Sequence, residues 1–152
     1  MPQLGILSDT HGLLRQQVIE RLKGCDLLLH AGDVGDPEVL DHLAELAPVR
    51  AVAGNVDAGI HGLDRLPAVA DGELGGVRWR MTHRREDVDD SWSREVDLIV
   101  FGHSHRPELA WHGRCLLLNP GAVGRRRFSL PLTLARVRVT EGRVLPEILA
   151  VE

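Results

Sequence analysis

The chain has 152 residues, enough for one globular domain with a sizeable core, and we expect residues 1–152 to form a single domain. A hydrophobic fraction of 43% and a charged fraction of 26% are typical of globular proteins and argue against disorder. A net charge of −4 and an aromatic content of 3% argue against nucleic acid as a partner. We find no signal peptide and no apolar run near the roughly 20 residues that span a bilayer. We therefore expect a cytoplasmic protein without a membrane partner, with Cys25 and Cys115 as buried free thiols.

The first half of the sequence predicts alternating strands and helices. Short apolar strands are expected at residues 4–7, 27–29 and 49–53. The first helix carries apolar residues at helical spacing and stops near Gly24. The second helix begins at Pro37, behind an N-cap at Asp36, and ends at Pro48. This alternation indicates parallel strands covered by helices.

The second half predicts a larger share of antiparallel strands. A hairpin with a two-glycine turn joins residues 68–74 to residues 77–82. A polar, weakly helical stretch follows, and further strands are expected at residues 98–101, 115–118, 133–139 and 143–150. Hairpin turns are expected at His112-Gly113 and Glu141-Gly142. The predicted fold class is α/β, with two facing sheets.

Polar side chains follow five of the predicted strands at their carboxyl ends. They are Asp9, His11, Asp33, Asn55, His83, His103 and His105. In open α/β sheets the carboxyl ends of the strands form the edge at which ligands bind. Seven carboxylate, amide and imidazole donors are too many for one tetrahedral zinc ion, which takes four ligands. They suit two divalent ions about 3.5–4 Å apart that share a carboxylate, and Asp33 is the candidate for the shared group.

These motifs resemble those of the calcineurin-like metallophosphoesterases. The resemblance is carried by Asp9-Thr10-His11, Gly32-Asp33, Gly54-Asn55-Val56-Asp57, Thr82-His83, Gly102-His103-Ser104-His105-Arg106-Pro107 and Asn119-Pro120-Gly121. Within the superfamily the chain is similar to the small single-domain prokaryotic phosphodiesterases, which share their fold with a scaffold subunit of the retromer coat. The resemblance implies a four-layer α/β/β/α sandwich, in which two facing mixed β-sheets are flanked by helices.

The resemblance also implies which residues bind each ion. One ion would be held by Asp9, His11 and His105, and the other by Asn55, His83 and His103, with Asp33 bridging them. The implied activity is hydrolysis of a phosphodiester by a hydroxide that bridges the ions, with Asp9, Asp33, Asn55 and His83 at the catalytic centre. We expect manganese, and the ligand types also admit iron, nickel, cobalt or zinc. The implied substrate is a small phosphodiester or nucleotide-like molecule, and relatives suggest a homodimer or higher oligomer.

Two motifs depart from the family pattern. Many larger relatives carry a histidine that protonates the leaving group directly after the asparagine of the third motif, where this chain has Val56. His61 is a candidate substitute, although an exposed loop histidine is the simpler interpretation, and Asp57 is expected to orient a neighbouring histidine or loop backbone. The fourth motif, usually His-Gly-His, continues here with Arg84 and Arg85, which could clamp a substrate phosphate or stay solvated.

Other functions stay open beside the phosphodiesterase. A non-catalytic interaction scaffold with a vestigial metal site would resemble the retromer subunit, although every ligand position is filled in this sequence. A phosphomonoesterase or a nuclease would share the chemistry, but a nuclease needs a basic groove. The run Arg125-Arg126-Arg127 could attract an anionic substrate or belong to a solvated loop. No role is given to His30, His42 or His112.

Overall fold

A computed structural model describes residues 1–126 and 129–151, which form ten β-strands and two α-helices. The strands are β1 (Gln3–Leu7), β2 (Leu27–His30), β3 (Val49–Ala51), β4 (Val69–Leu74), β5 (Val77–Thr82), β6 (Leu98–Val100), β7 (Glu108–His112), β8 (Cys115–Asn119), β9 (Thr133–Thr140) and β10 (Arg143–Ala150). The helices are α1 (Gln16–Leu22) and α2 (Pro37–Ala44). The strands make two five-stranded sheets, ordered β10-β9-β1-β2-β3 and β4-β5-β6-β8-β7. The predicted α/β sandwich of two facing mixed sheets is confirmed.

The first sheet combines strands from both halves of the chain. β1, β2 and β3 run parallel, as the strand–helix alternation predicts. β9 lies antiparallel to β1, with Ala135 opposite Ile6, and β10 pairs with β9 at the edge. The last hairpin therefore returns to the sheet with which the chain begins.

The second sheet is parallel at its centre and antiparallel at both edges. β5, β6 and β8 run parallel, with Val100 between Met81 and Leu118 in the register. The edge strands β4 and β7 are antiparallel to their neighbours. Gly75 and Gly76 make the turn between β4 and β5, both with positive φ, as the two-glycine hairpin requires.

Among the described residues, three apolar clusters hold the layers together. The largest lies between the sheets and includes the fully buried side chains of Ile6, Trp79 and Leu118. The second packs both helices onto the first sheet, with Val18 of α1 and Leu43 of α2 at no measurable exposure. Each such side chain contributes about 1.5–3 kcal/mol by leaving water. The first sheet is therefore packed on both faces, by the second sheet on one side and by the helices on the other.

The third cluster covers the outer face of the second sheet. Val88 and Trp92 pack there on a buried group that includes Phe101. The covering segment forms two short 3₁₀ turns, Arg85–Asp87 and Asp90–Arg94, in place of a regular α-helix. Its weak apolar periodicity explains this, because too few side chains repeat at helical spacing to stabilise longer turns. The fourth layer is therefore thin.

Several predicted element boundaries agree with the structure, but α2 ends at Ala44, short of the expected end at Pro48. Asp36 caps α2 by accepting a hydrogen bond from the amide of Glu38 at 2.9 Å. β3 ends at Ala51, earlier than expected, because the amide of Ala53 donates to the carbonyl oxygen of Pro67. Across residues 1–126 and 129–151, no helix reaches the length and apolarity that crossing a bilayer requires.

Candidate metal centre

The seven candidate ligands lie in five loops that follow strands at one edge of the sandwich. The loops after β1, β2 and β3 carry Asp9, His11, Asp33 and Asn55, and those after β5 and β6 carry His83, His103 and His105. Within each set the strands run parallel, so their carboxyl ends point the same way. Both sheets thus contribute donors to one region.

Backbone hydrogen bonds fix the first loops against each other. The amide of Asp9 donates to the carbonyl oxygen of Gly32 at 3.0 Å. The amide of His11 donates to the carbonyl oxygen of Asp33 at 2.9 Å. A Cβ atom at Gly54 would lie 2.2 Å from Oδ1 of Asp33, so only glycine lets the third loop approach this closely.

The first group of donors consists of Asp9, His11 and His105. Oδ1 of Asp9 lies 3.5 Å from Nε2 of His11 and 3.3 Å from Nε2 of His105. Its other oxygen accepts hydrogen bonds from the hydroxyl of Ser8 at 2.6 Å and from the amide of His103 at 3.1 Å. Asp9 and His105 are buried, which leaves His11 as the partly exposed member.

The electrostatic environment keeps Asp9 ionised. Burial alone would raise the pKa of this carboxyl group. The nearby His105 and His11 and the hydroxyl of Ser8 outweigh that effect and hold the pKa well below its usual range. Asp9 is therefore a buried carboxylate whose ionised form is strongly favoured.

The second group consists of Asp33, His83 and His103, and Asp33 also faces the first group. Oδ2 of Asp33 lies 3.2 Å from Nε2 of His83 and 3.6 Å from Nε2 of His11. Its Oδ1 accepts a hydrogen bond from the amide of Val56 at 3.0 Å. The rings of His83 and His103 meet edge to face, 5.2 Å apart. In each group, one donor atom per residue lies within 4.8 Å of the others.

The hydrogen bonds of His83 show that this group suits a cation. Nδ1 lies 2.7 Å from the carbonyl oxygen of Ala31, which can only accept, so the ring proton sits there. Nε2 then turns a lone pair towards the carboxylate of Asp33, and within the described residues it makes no hydrogen bond. Two electron-rich atoms in a buried site are stabilised by a positive charge between them.

The carboxylates raise the proton affinity of His83. Burial lowers its pKa, but Asp33, the carbonyl oxygen of Ala31 and Asp9 outweigh burial, so the pKa is raised from its ordinary value. The pKa of Asp33 is lowered, because His83 and the amide of Val56 outweigh the effect of burial. The charge environment between these side chains therefore favours a cation.

Five of the candidate ligands have a left-handed backbone conformation. Their φ angles are 55° at Asp9, 46° at His11, 57° at Asp33, 73° at His103 and 65° at His105. Side chains other than glycine rarely adopt this region, and strained conformations concentrate at functional sites. In the described residues the one further non-glycine example is Glu141, in the turn before β10.

Asn55 lies at the exposed edge of the second group. It lines a cavity of about 250 Å³ together with His83, Arg84 and Asp87. The guanidinium of Arg84 pairs with the carboxylates of Glu86 at 3.2 Å and Asp87 at 3.4 Å. This predicted substrate-binding arginine therefore lies beside the centre but already has acidic partners.

Arg85 points elsewhere. Its guanidinium lies over the ring of Phe101, 5.9 Å from the centroid, on the outer face of the second sheet. Val56 and His61 are both exposed. In the basic run, Arg125 and Arg126 are exposed, and Arg127 lies outside the described residues.

Asp57 contacts loop backbone rather than a histidine. Its buried carboxylate accepts hydrogen bonds from the amides of Val34 at 3.2 Å, Gly35 at 3.0 Å and Gly54 at 2.8 Å. One side chain thus fixes the loops after β2 and β3. Asp57 is expected from the sequence to orient either a neighbouring histidine or loop backbone, and all three of these hydrogen bonds are to loop backbone.

Asn119 has a supporting contact that the sequence patterns did not predict. Its amide nitrogen donates to the carbonyl oxygen of Gly102 at 3.2 Å and to the hydroxyl of Ser104 at 3.0 Å. Its oxygen accepts from the amide of Gly121 at 2.9 Å. The sequence signal for this contact is a polar residue at the end of an apolar strand, because a buried polar side chain needs hydrogen-bond partners.

Known proteins resemble this chain in sequence and in fold. A family model described as the calcineurin-like phosphoesterase superfamily domain matches residues 3–142. A probable metallophosphoesterase from Methanocaldococcus jannaschii is 33% identical over 128 residues, covering 78% of this chain and 67% of that protein. The structure of an archaeal phosphodiesterase matches with a TM-score of 0.76 at 19% identity, covering 97% of this chain and 99% of the other. Vps29 from Entamoeba histolytica, solved with Zn²⁺, matches with a TM-score of 0.74 at 20% identity, covering 99% of both chains. At these identities the two structures establish a shared fold.

Proposed function

Because this chain belongs to the calcineurin-like phosphoesterase superfamily, we propose that it is a metal-dependent phosphodiesterase. The position of Asp33 supports this proposal most directly. Its Oδ2 lies 3.6 Å from Nε2 of His11 and 3.2 Å from Nε2 of His83, so one carboxylate faces both donor groups. Two neighbouring cations need such a shared anion, because it offsets their mutual repulsion.

The two donor groups would each hold one divalent ion. Asp9, His11 and His105 would bind the first, and His83, His103 and Asn55 the second, with Asp33 shared. Imidazole and carboxylate ligands suit manganese, our preferred candidate, as well as iron, cobalt, nickel and zinc. Bound ions would supply an activated water molecule and offset the charge that develops on the phosphate.

The protein's own contribution is to orient these donors before the substrate arrives. Ser8 and the amide of His103 fix one oxygen of Asp9, which leaves the other facing the imidazoles. The carbonyl oxygen of Ala31 holds the ring of His83 with Nε2 towards Asp33. Partners of this kind commonly change metal affinity or activity about 10- to 100-fold when removed.

Protonation of the leaving group is not assigned to a side chain. The isopropyl group of Val56, at the position of the family's proton donor, cannot donate a proton. The proton would come from water, so the rate should depend steeply on the acidity of the leaving alcohol. Activated aryl esters are the substrates of choice for a first assay.

The cavity beside the second group favours an uncharged substituent on the substrate. Small side chains, including Ala53 and Ala68, line part of it, and Arg84 and Asp87 line another part. Arg84 contributes one positive charge, while its partners Glu86 and Asp87 contribute two negative charges. On the wall itself the charges of Arg84 and Asp87 cancel, and Glu86 pairs with Arg84 from outside the lining, so the wall should give a second phosphate little attraction. A singly charged diester with a neutral organic group fits better than a monoester or a polyphosphate.

Reconstitution with metal tests the proposal. We expect metal-stripped protein to hydrolyse bis(p-nitrophenyl) phosphate only after a divalent ion such as Mn²⁺ is added. Asp33→Asn should lower that activity by more than about 100-fold, because it removes the shared charge. Asp41→Asn, an exposed acid on α2, is the matched control and should match wild type. Faster turnover of p-nitrophenyl phosphate would assign a monoesterase instead.

A non-catalytic scaffold is the second candidate function. The shared fold with Vps29 supports it, and that structure also contains Zn²⁺. Calorimetry decides between the candidates when it accompanies the assay. Binding of Mn²⁺ or Zn²⁺ without turnover of any aryl diester would favour the scaffold and contradict the phosphodiesterase.

A further inference from the structure

His30, the last residue of β2, is a buried histidine whose two ring nitrogens both have partners. It has no exposed surface. The amide of Gly32 donates to Nδ1 at 3.1 Å, and Nε2 lies 3.0 Å from the hydroxyl oxygen of Thr10. That hydroxyl in turn donates to the carbonyl oxygen of Val34 at 2.8 Å. The chain of hydrogen bonds therefore crosses between the loops after β1 and β2.

These partners allow one arrangement of protons. An amide can only donate, so Nδ1 of His30 must accept and carries no proton. A carbonyl oxygen can only accept, so the hydroxyl proton of Thr10 is committed to Val34. Nε2 of His30 must then carry the proton and donate it to Thr10. Burial supports the neutral ring, because it lowers the pKa of His30 to about 4 despite the nearby Asp9 and Asp57.

The residues joined by this chain flank the candidate ligands. Thr10 lies between Asp9 and His11, while Gly32 and Val34 lie on either side of Asp33. These three candidate ligands are held in the left-handed backbone region, which the local chain would not adopt unaided. The hydrogen bonds through His30 join the two loops that carry them.

We propose that His30 is a positioning residue that holds the loop of Asp9 and His11 at a fixed separation from Asp33. This role rests on the proposed function, because the separation matters only if the two donor groups bind neighbouring ions. His30 touches neither substrate nor ion and acts through Thr10 and the backbone of Gly32. Apolar replacement should loosen the pairing of the ions without removing a ligand.

The ring proton can be observed directly. In protein labelled with ¹⁵N at histidine, long-range proton–nitrogen correlation spectra distinguish the two neutral tautomers and the charged ring. We expect His30 to be neutral, with its proton on Nε2, at neutral pH. A proton on Nδ1, or rapid exchange between tautomers, would overturn the proposed hydrogen-bond chain.

The effect on the ions is measured with substitutions at both ends of the hydrogen bond. His30→Leu and Thr10→Val each remove the link, whereas His30→Gln keeps an amide that can donate to Thr10. We expect the first two to weaken binding of the second Mn²⁺ by more than about ten-fold in calorimetry. We also expect them to diminish the paramagnetic resonance signal of a spin-coupled manganese pair. His30→Gln should largely restore both, and His42→Leu, at an exposed position on α2, should change neither.

The outcomes separate this inference from the proposed function. Wild-type protein that binds fewer than two ions overturns the proposed function, and this role with it. Wild-type protein with a coupled pair that persists unchanged in Thr10→Val and His30→Leu overturns the role alone. If His30→Leu does not fold, Thr10→Val, which keeps the shape of the side chain, decides.

Discussion

Backbone strain at the candidate ligands has an energetic cost. A left-handed conformation costs a side chain other than glycine roughly 1–2 kcal/mol. His103 is an example, because its φ is 73° although its side chain is exposed and meets the ring of His83 only edge to face. Its backbone amide is held by Asp9, 3.1 Å away, so the loop cannot relax by turning. The left-handed conformation of His103 costs stability, and in return it sets the direction in which the imidazole points.

Replacing His103 therefore separates strain from ligand chemistry. We expect His103→Gly to be more stable than His103→Ala by about 1 kcal/mol, because glycine adopts positive φ freely. That difference corresponds to roughly 2–4 °C in melting temperature for a chain of this size. Thermal unfolding in the presence of a chelator measures it without a contribution from metal.

A helical position supplies the control for this comparison. His42 is an exposed residue within α2, and there alanine should be more stable than glycine by about 1 kcal/mol. Opposite signs at the two positions would identify backbone conformation as the cause. A His103→Gly protein no more stable than His103→Ala would show that the loop carries no strain.

The ion pairs of Arg84 predict how the substrate preference can be changed. Asp87→Asn removes one of its two acidic partners and leaves Glu86, so the guanidinium keeps more of its positive charge for a second phosphate on the substrate. We expect a KM lower by up to about five-fold for the p-nitrophenyl ester of thymidine 5′-phosphate bearing a 3′-phosphate, since exposed pairs are worth at most about 1 kcal/mol. The same ester without the 3′-phosphate should keep its KM.

A nearby carboxylate provides the matched control for Asp87. Asp90→Asn removes an exposed charge from the same segment, at a side chain that does not line the cavity described above. It should leave both KM values within two-fold, roughly the scatter of exposed substitutions. Equal effects of the two substitutions would assign the change to overall charge and contradict a specific role for Arg84.

At the scale of elements, Asp57 connects the loops after β2 and β3. Its carboxylate accepts three backbone amides, from Val34, Gly35 and Gly54. In Asp57→Asn, the amide nitrogen must face at least one of these donors, and the charge is lost as well. We expect the free energy of unfolding to fall by about 2 kcal/mol or more, measured by urea denaturation.

The neighbouring Asp64 makes this prediction specific. It is exposed and lies in the same connection between β3 and β4, so Asp64→Asn should stay within about 0.5 kcal/mol of wild type. If Asp57→Asn were equally mild, the three hydrogen bonds would not hold the loops together. Loosened loops should also weaken Mn²⁺ binding by roughly ten-fold or more.

Local sequence patterns predict those elements whose structure is determined by interactions between residues close together in the chain. Short apolar runs become buried strands, Asp36 caps α2 as expected, and paired glycines make the turn at Gly75 and Gly76. The polar residues after strands were brought to one edge because parallel strands end on the same side. Each of these features depends on a few adjacent residues.

Features that depend on contacts distant in sequence could not be predicted in this way. The pairing of β9 with β1 joins segments more than a hundred residues apart, and no local pattern encodes it. The contacts of His30 with Thr10, and of Asn119 with Gly102, likewise exist only once the loops meet. A buried polar residue at a strand end was visible as a pattern, but its partner was not.

At the scale of the whole molecule, the candidate centre joins the two sheets. Asp9, His11 and Asp33 follow strands of the first sheet, and His83, His103 and His105 follow strands of the second. Apart from this edge, the sheets meet mainly through the apolar cluster between them. Ions bound by donors from both sheets would cross-link the two sheets. Ion binding should therefore raise the free energy of unfolding of the whole domain.

Added Mn²⁺ should therefore raise the unfolding temperature of metal-stripped protein. At a free concentration one hundred times the dissociation constant, each ion contributes about 2.7 kcal/mol, which corresponds to roughly 5–10 °C for a chain of this length. His103→Ala should reduce this shift, because it removes a donor supplied by the second sheet, whereas His42→Ala should retain it. The shift rather than the melting temperature itself is compared, since each substitution changes the metal-free protein as well. A shift of the same size in His103→Ala would mean that His103 binds no ion, and any link between the sheets would then depend on His83 and His105 alone.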